Sequence, residues 1–135
     1  KYPLHDSFLR YMTDLEKLYT TRPSLYNGEY NPDCFKWILP DESERSVFAY
    51  KRCAENETTI CLLNFSDREQ TITIPTDGLT DLKELINSDS NIYSGKTEVK
   101  RSVKIKPADG EFFVKLSPFS GRLFDGEVFS KPAAK

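Results

Sequence analysis

The stretch 46–66 constrains this chain more than any other. It reads SVFAYKR, CAENE and TTICLLNFS, two runs rich in β-branched and aromatic residues around a short polar turn. That is a hairpin signature. In the second run Cys61, Leu63 and Phe65 point to one side, and Ile60 and Leu62 to the other. A strand apolar on both faces predicts a central position, covered on both sides. The chain after residue 66 reads as more strand, and the chain before residue 46 reads largely as material packed over one face.

Residues 6–21 have the helical period. Phe8, Tyr11, Leu15 and Leu18 form the stripe, widened by Met12 and Tyr19, with Phe8, Leu15 and Leu18 expected to face the sheet. Asp6 or Ser7 is expected to cap the start, and Pro23 to end the helix by forcing Arg22 out of the helical region. Residues 24–32 are a loop, with Asn27-Gly28 and Asn31-Pro32 as turn signals. FKWIL at 35–39 is a short strand, so 35–65 reads as a three-strand meander. Further strands are expected at 70–74, 82–86, 99–106 and 112–116, with a last short one at 122–124. A polar loop at 87–95 encloses Ile92 and Tyr93, and Ala108-Asp109-Gly110 makes a hairpin turn. The lysine row in 99–106 suits an exposed edge. About eight short strands with turns between them predict a mainly β fold, an antiparallel Greek-key β-sandwich with one N-terminal α-helix. The boundaries are 1–23 for the helix, 24–126 for the all-β domain and 127–135 for a loosely packed tail.

Charge removes several functions. The 19 basic and 21 acidic residues are well mixed, so neither nucleic acid nor a charged partner is expected. No apolar run approaches the roughly 20 residues of a bilayer span, so no membrane association is expected, and no signal peptide is read. Cys34, Cys53 and Cys61 are an odd set without a CxxC pair, which argues against a disulfide framework and a zinc ribbon and for a reduced, cytoplasmic compartment. The sequons at Asn56 and Asn64 carry no meaning there, and Asn64 is expected within a strand. The chain starts at Lys1, and is read as a piece of a longer protein.

The search for chemistry returns little. His5 is the only histidine and has no Cys or carboxylate at ligand spacing, so no metal and no cofactor are expected. It cannot serve a strand-borne nucleophile either. Carboxylate pairs for glycosidic chemistry would be Asp41, Glu42 and Glu44, or Glu55 and Glu57, but these sit in hairpin turns where charge is ordinarily solvated. No residue is assigned a catalytic role. The aromatics are more informative, because a ring face matches the C–H face of a hexose. Trp37, sharing a face with Phe35, is read as core. Tyr26, Tyr30 and Tyr93 lie on loops and are the candidate sugar-binding residues.

Certain residues carry a resemblance. His5, Phe8, Tyr11, Asp14-Leu15, Leu18-Tyr19, Pro23, Leu25, Phe35-x-Trp37-Ile38 and Ser46-Val47 together resemble the C-terminal region of bacterial 1,4-α-glucan (glycogen) branching enzymes. Leu85-Ile86-Asn87-Ser88-Asp89-Ser90 with Tyr93, and Leu116-x-Pro118, are similar to later parts of the same domain. The chain departs from the family at Glu16, at Cys34, and at Tyr93-Ser94-Gly95, where the family has Tyr-Gly-Gly. The resemblance implies the all-β C-terminal domain of an α-amylase-type enzyme. Its partner would be a catalytic (β/α)₈ barrel on the same parent chain, with α-glucan a further ligand. The helix would then be the last barrel-side helix or a linker. The family's catalytic motifs match no position here, so the implied role is to brace the barrel and contact glucan, not to perform the transfer. Two alternatives stand beside it, a stand-alone carbohydrate-binding or immunoglobulin-like module, and the equivalent domain of another amylase-family hydrolase.

Overall fold

A computed structural model describes residues 3–26, 35–39, 46–54, 57–76, 78–98 and 103–127. Helix α1 (Pro3–Thr21) is followed by the single turn α2 (Pro23–Tyr26). Pro23 ends one helix and starts the next, because its fixed φ and missing N–H suit a first helical position. Eight strands come after: β1 (Phe35–Leu39), β2 (Val47–Ala54), β3 (Glu57–Asn64), β4 (Gln70–Pro75), β5 (Asp81–Asn87), β6 (Lys104–Ile105), β7 (Glu111–Leu116) and β8 (Ser120–Glu127). A 3-10 turn, Asn91–Tyr93, lies between β5 and β6.

The strands form two antiparallel sheets. The larger has the order β1-β2-β3-β8-β5-β6, and the smaller pairs β4 with β7. The expected mainly β sandwich with one N-terminal helix is what forms, and 35–64 is the expected meander. Alternation makes the core. Val47 and Ala49, Ile60 and Leu62, Leu82 and Phe124 turn inward from the large sheet. Ile72, Ile74, Phe112, Val114 and Leu116 meet them from the small one. The connection from β6 to β7 ends in a two-residue turn at Asp109-Gly110, closed by a bridge between Ala108 and Glu111, with both turn residues at positive φ (54° and 78°). This is the hairpin-type turn that the sequence signals, but it hands the chain from one sheet to the other.

Four expectations need correction. The strand at 122–124 is not a short terminal one: β8 spans eight residues and sits between β3 and β5. Its Gly121, Gly126 and Asp125 dilute the apolar signal, and Gly121 leaves room for a neighbouring leucine. A Cβ on Gly121 would stand 2.8 Å from a Leu63 methyl. Within the expected strand 99–106, the described part is strand only at Lys104–Ile105, on the sheet edge; 99–102 lie outside the described residues. Asp6 and Ser7 are not caps, since α1 already starts at Pro3. Phe8 is not inward but 66% exposed; Tyr11, Leu15 and Leu18 carry the contact with the sheet.

Candidate functional site

Helix α1 lies on the outer face of the large sheet. Tyr11, Leu15 and Leu18, with Leu25 of α2, pack over Cys61, Ile86 and Leu123. Burial pushes the Cys61 thiol up, which keeps it an unreactive protonated group, and pushes the phenols of Tyr11 and Tyr50 up as well. One flank of the helix is tied to the loop after β5. The Tyr93 hydroxyl donates to Asp14 Oδ2 at 2.6 Å, its ring meets Tyr11 edge-on at 5.1 Å, and the hydroxyls of Ser7 and Ser94 bond. Burial, then the Asp14 carboxylate beside it, raises the Tyr93 phenol well above its ordinary value.

The C-terminal end of the helix is held by a polar knot. Arg22 Nε donates to Thr59 Oγ1 at 2.9 Å and Nη2 to Asp125 Oδ1 at 3.0 Å. Glu57 accepts from the Ser24 amide at 2.8 Å and from its hydroxyl, and Arg52 Nε reaches the Ser24 carbonyl at 3.2 Å. Ser24 and Thr59 are wholly buried, and no buried side-chain polar atom among the described residues lacks a partner. A satisfied network of this kind fixes orientation, because removing any member leaves a desolvated group behind. Glu57, the one described member of the carboxylates weighed for glycosidic chemistry, is therefore tied up in structure; Asp41, Glu42, Glu44 and Glu55 lie outside the described residues.

The other flank of α1 is open. Phe8, Met12 and Tyr19 are exposed there, and Leu4 is exposed at the start of the helix. Ser7 and Asp14 face the loop after β5, so this opposite flank faces β1 and β2. That part of the sheet carries a run of rings in contact: Phe35 stacks on Tyr50 at 4.9 Å, Trp37 meets Phe35 at 5.4 Å and Phe48 at 6.4 Å, and Phe48 meets Phe65 at 5.6 Å. Trp37 is thus not core. It shares the outer face with Phe35, as alternation requires, but that face is open at the sheet edge and leaves it 53% exposed.

The three candidate tyrosines separate. Tyr26 ends α2, exposed, with its ring 6.0 Å from Tyr19. Tyr93 sits eight residues of helix away, beside Tyr11, roughly 12 Å along the axis. Tyr30 lies outside the described residues. Tyr93 instead shares a groove of about 440 Å³ with β5, the end of β7 and Arg122 of β8. The loop that bears it is built tightly. Asp89 accepts from Lys96 N at 3.3 Å and Thr97 Oγ1 at 2.8 Å, and Ser90 caps the 3-10 turn. A Cβ on Gly95 would stand 2.0 Å from the Asp89 carbonyl oxygen, so only glycine fits there. Sequence reasoning did not find this groove, because its walls come from four separate elements. The one local hint was the polar run 87–90 ahead of Tyr93.

Residues 36–100 match the family model of the maltogenic amylase C-terminal domain. The chain is 28% identical over 129 residues, 93% of its length, to the 1,4-alpha-glucan branching enzyme GlgB of Novosphingobium aromaticivorans, of which it covers 18%. It is 36% identical over 95 residues, 67% of its length, to GlgB of Aliivibrio fischeri, of which it covers 13%. The fold is similar to part of a crystal structure of an Anoxybacillus alpha-amylase, with a TM-score of 0.61 at 18% identity over 91% of this chain and 23% of that one. The chain spans 13–18% of the length of the curated relatives it matches.

Proposed function

We propose that the chain is the non-catalytic C-terminal β-domain of an α-amylase-type enzyme, a 1,4-α-glucan branching enzyme, a reading supported by its match to the maltogenic amylase C-terminal domain and by its GlgB relatives. The parent would cut α-1,4-glucan segments and rejoin them through α-1,6 bonds, as glycogen biosynthesis requires, on a catalytic barrel elsewhere in the same chain. This domain braces that barrel in the cytoplasm and holds glucan at its surface, with Tyr26, Tyr30 and Tyr93 as the contacts.

One observation carries the bracing role: α1 is locked to the sheet by the Arg22 knot while its other flank stays apolar and exposed. Leu4, Phe8 and Met12 project from a helix that cannot rotate to bury them. A rigid helix with an open apolar flank suits a second domain. Asp14, Glu57 and Asp125, the carboxylates at the contact between helix and sheet, are engaged in structural ties, which fits a domain that holds and does not cut.

The test is direct. The chain incubated with amylose gives neither branching nor hydrolysis, read by iodine staining and reducing ends; turnover would overturn the reading. Supplied together with the catalytic domain of a GlgB relative, it forms a complex that Phe8→Asp weakens without altering its circular dichroism. A complex equally stable with Phe8→Asp would remove α1 from the interface.

A further inference from the structure

A sheet of two strands cannot cover a sheet of six. Two gaps flank the small sheet. The one on the β1 side is a small slot of about 180 Å³ with Ile38, Ile60 and Leu79 in its walls. The one on the β5 side is the groove of about 440 Å³, within the range of small-molecule sites. Its chemistry differs. The Arg122 guanidinium is tied down there: Nε donates to Glu84 Oε1 at 2.7 Å, Nη1 to the Lys115 carbonyl at 2.9 Å, and the group lies 4.9 Å over the Phe124 ring. The charges at the centre of the groove neutralise each other, which disfavours a phosphate or carboxylate ligand and suits a neutral polar one.

Among the uncharged polar side chains that line the groove, Asn87 has donors left over. Asn87 is 8% exposed and lines the groove. Its Oδ1 accepts from the Asp89 amide at 2.9 Å, which fixes the side chain. Its amide nitrogen has no hydrogen-bond partner among the described residues, so two N–H donors remain for a ligand. Beside it, Ile92 and Tyr93 give an apolar wall, and Tyr93 is held from behind by Asp14 and Tyr11. The groove also has a neighbour. A second hollow of about 300 Å³, under α1 at Asp14, Lys17 and Thr21, shares Leu85, Ile86 and Tyr93 with it. The β5 register slips between Glu84 and Ile86, so Leu85 is an extra residue that opens both hollows along one strand. A charge-neutral cleft with a fixed apolar wall, an accessible amide donor and an adjoining hollow fits a chain of hexoses better than a single ring.

We propose that this groove is the subsite through which the domain holds an α-glucan chain, with the Asn87 amide as its hydrogen-bond donor and the Ile92–Tyr93 wall as its apolar platform. The proposal rests on the glucan-holding part of the function above. It gives Tyr93 the role of a fixed wall, and leaves Tyr26 outside the site.

The test is an amide-resolved NMR titration of the 135-residue chain with maltoheptaose to about 10 mM, a range that detects weak sugar binding. The expected shifts cluster at Asn87, including its side-chain amide, Ile92, Tyr93 and Thr97. Asn87→Asp keeps the acceptor for the Asp89 amide but loses the donors, and should weaken binding about tenfold with the loop signals otherwise in place. Ile92→Lys, on the wall, should weaken it too. Shifts confined to Tyr19 and Tyr26, or to Trp37, overturn the groove and leave glucan holding intact. Unchanged affinity in both variants also overturns the groove. No shift anywhere ends glucan holding as well, while the bracing role, read by complex formation, stands or falls separately.

Discussion

The two faces of the six-stranded sheet are built from the same strands and behave differently. On the inner face, Val47, Ala49, Ile60, Leu62, Leu82 and Phe124 meet the small sheet and are buried almost without remainder. On the outer face, the residues next to them in sequence are Phe48, Tyr50, Cys61 and Leu123, covered by α1 over only part of their length. The inner face is aliphatic with Phe112 and Phe124 at its centre; the outer carries the ring cluster, the Arg22 knot and Tyr93. The inner face therefore holds the sandwich together, and the outer one is where a second domain or a ligand can still be met.

The largest effect should separate the two faces. Phe112→Ala removes a wholly buried ring from the inner core and should cost about 3–5 kcal/mol, as buried Phe→Ala changes do. Trp37→Ala removes a larger ring from the outer face, but one half in water, and should cost about 1 kcal/mol. Denaturant unfolding of both variants measures this. A Trp37 cost matching that of Phe112 would mean the outer face is as much a part of the folding core as the inner.

Next comes the tie between the helix and that outer face. Breaking a fully buried ion pair costs about 3–5 kcal/mol. Arg22 is nearly buried, but Asp125 and Glu57 each keep about a quarter of their side-chain surface in water, so Arg22→Ala should cost about 2 kcal/mol. Arg22→Lys should not restore it, since one ammonium cannot repeat the fork to Thr59 and Asp125. Hydrogen exchange would then quicken across α1 while β3, β7 and β8 stay protected. Loss of protection in the strands together with the helix would show the outer layer and the sandwich to be one cooperative unit.

The inner face was legible in the sequence because period-two alternation in 46–64 and 112–116 depends on neighbouring residues alone. The outer face was not. Alternation puts Phe35 and Trp37 on one side but cannot say that the side lies open. The helical stripe contains Phe8 with Tyr11 and Leu15, yet Phe8 stays exposed, and the pairing of Asp14 with Tyr93 and Ser7 with Ser94 across the chain fixes which flank turns in. Arg22, Glu57 and Asp125 meet across 103 positions of chain. Asn87 and Arg122 face one groove because β8, which read as a short terminal strand, runs through the middle of the sheet.

A smaller change sharpens the contrast within the loop that carries Tyr93. Ser94 sits at φ 69°, a left-handed conformation costing a residue with a side chain about 1–2 kcal/mol. Ser94→Gly relieves that and gives up the bond to Ser7, an exposed hydroxyl contact worth about 0.5–1 kcal/mol. The strain term is the larger, so the variant should be more stable by about 0.5 kcal/mol in thermal unfolding. Destabilisation instead would make the Ser7 contact a principal anchor of the helix.

The smallest effect is one of pH, and it belongs to the same loop. Burial by itself would raise the Asp89 carboxyl, but bonds from the Thr97 and Ser117 side chains and the Lys96 amide outweigh it, so the group sits below its ordinary value. A carboxyl with a depressed native pKa adds stability that is fully present above its unfolded value, about 3.9, and is lost as pH falls through the native one. The loop 88–98 should therefore hold unchanged from neutral pH to about 4, and loosen below it. The amides of Lys96 and Thr97 would exchange faster there, while those of Ile72 and Val114, in a core without titratable side chains, keep their protection. Asp89→Asn should bring the loosening to neutral pH. Loosening that begins between pH 7 and 5 would contradict a depressed carboxyl, and would mean that another group sets the loop against the outer face.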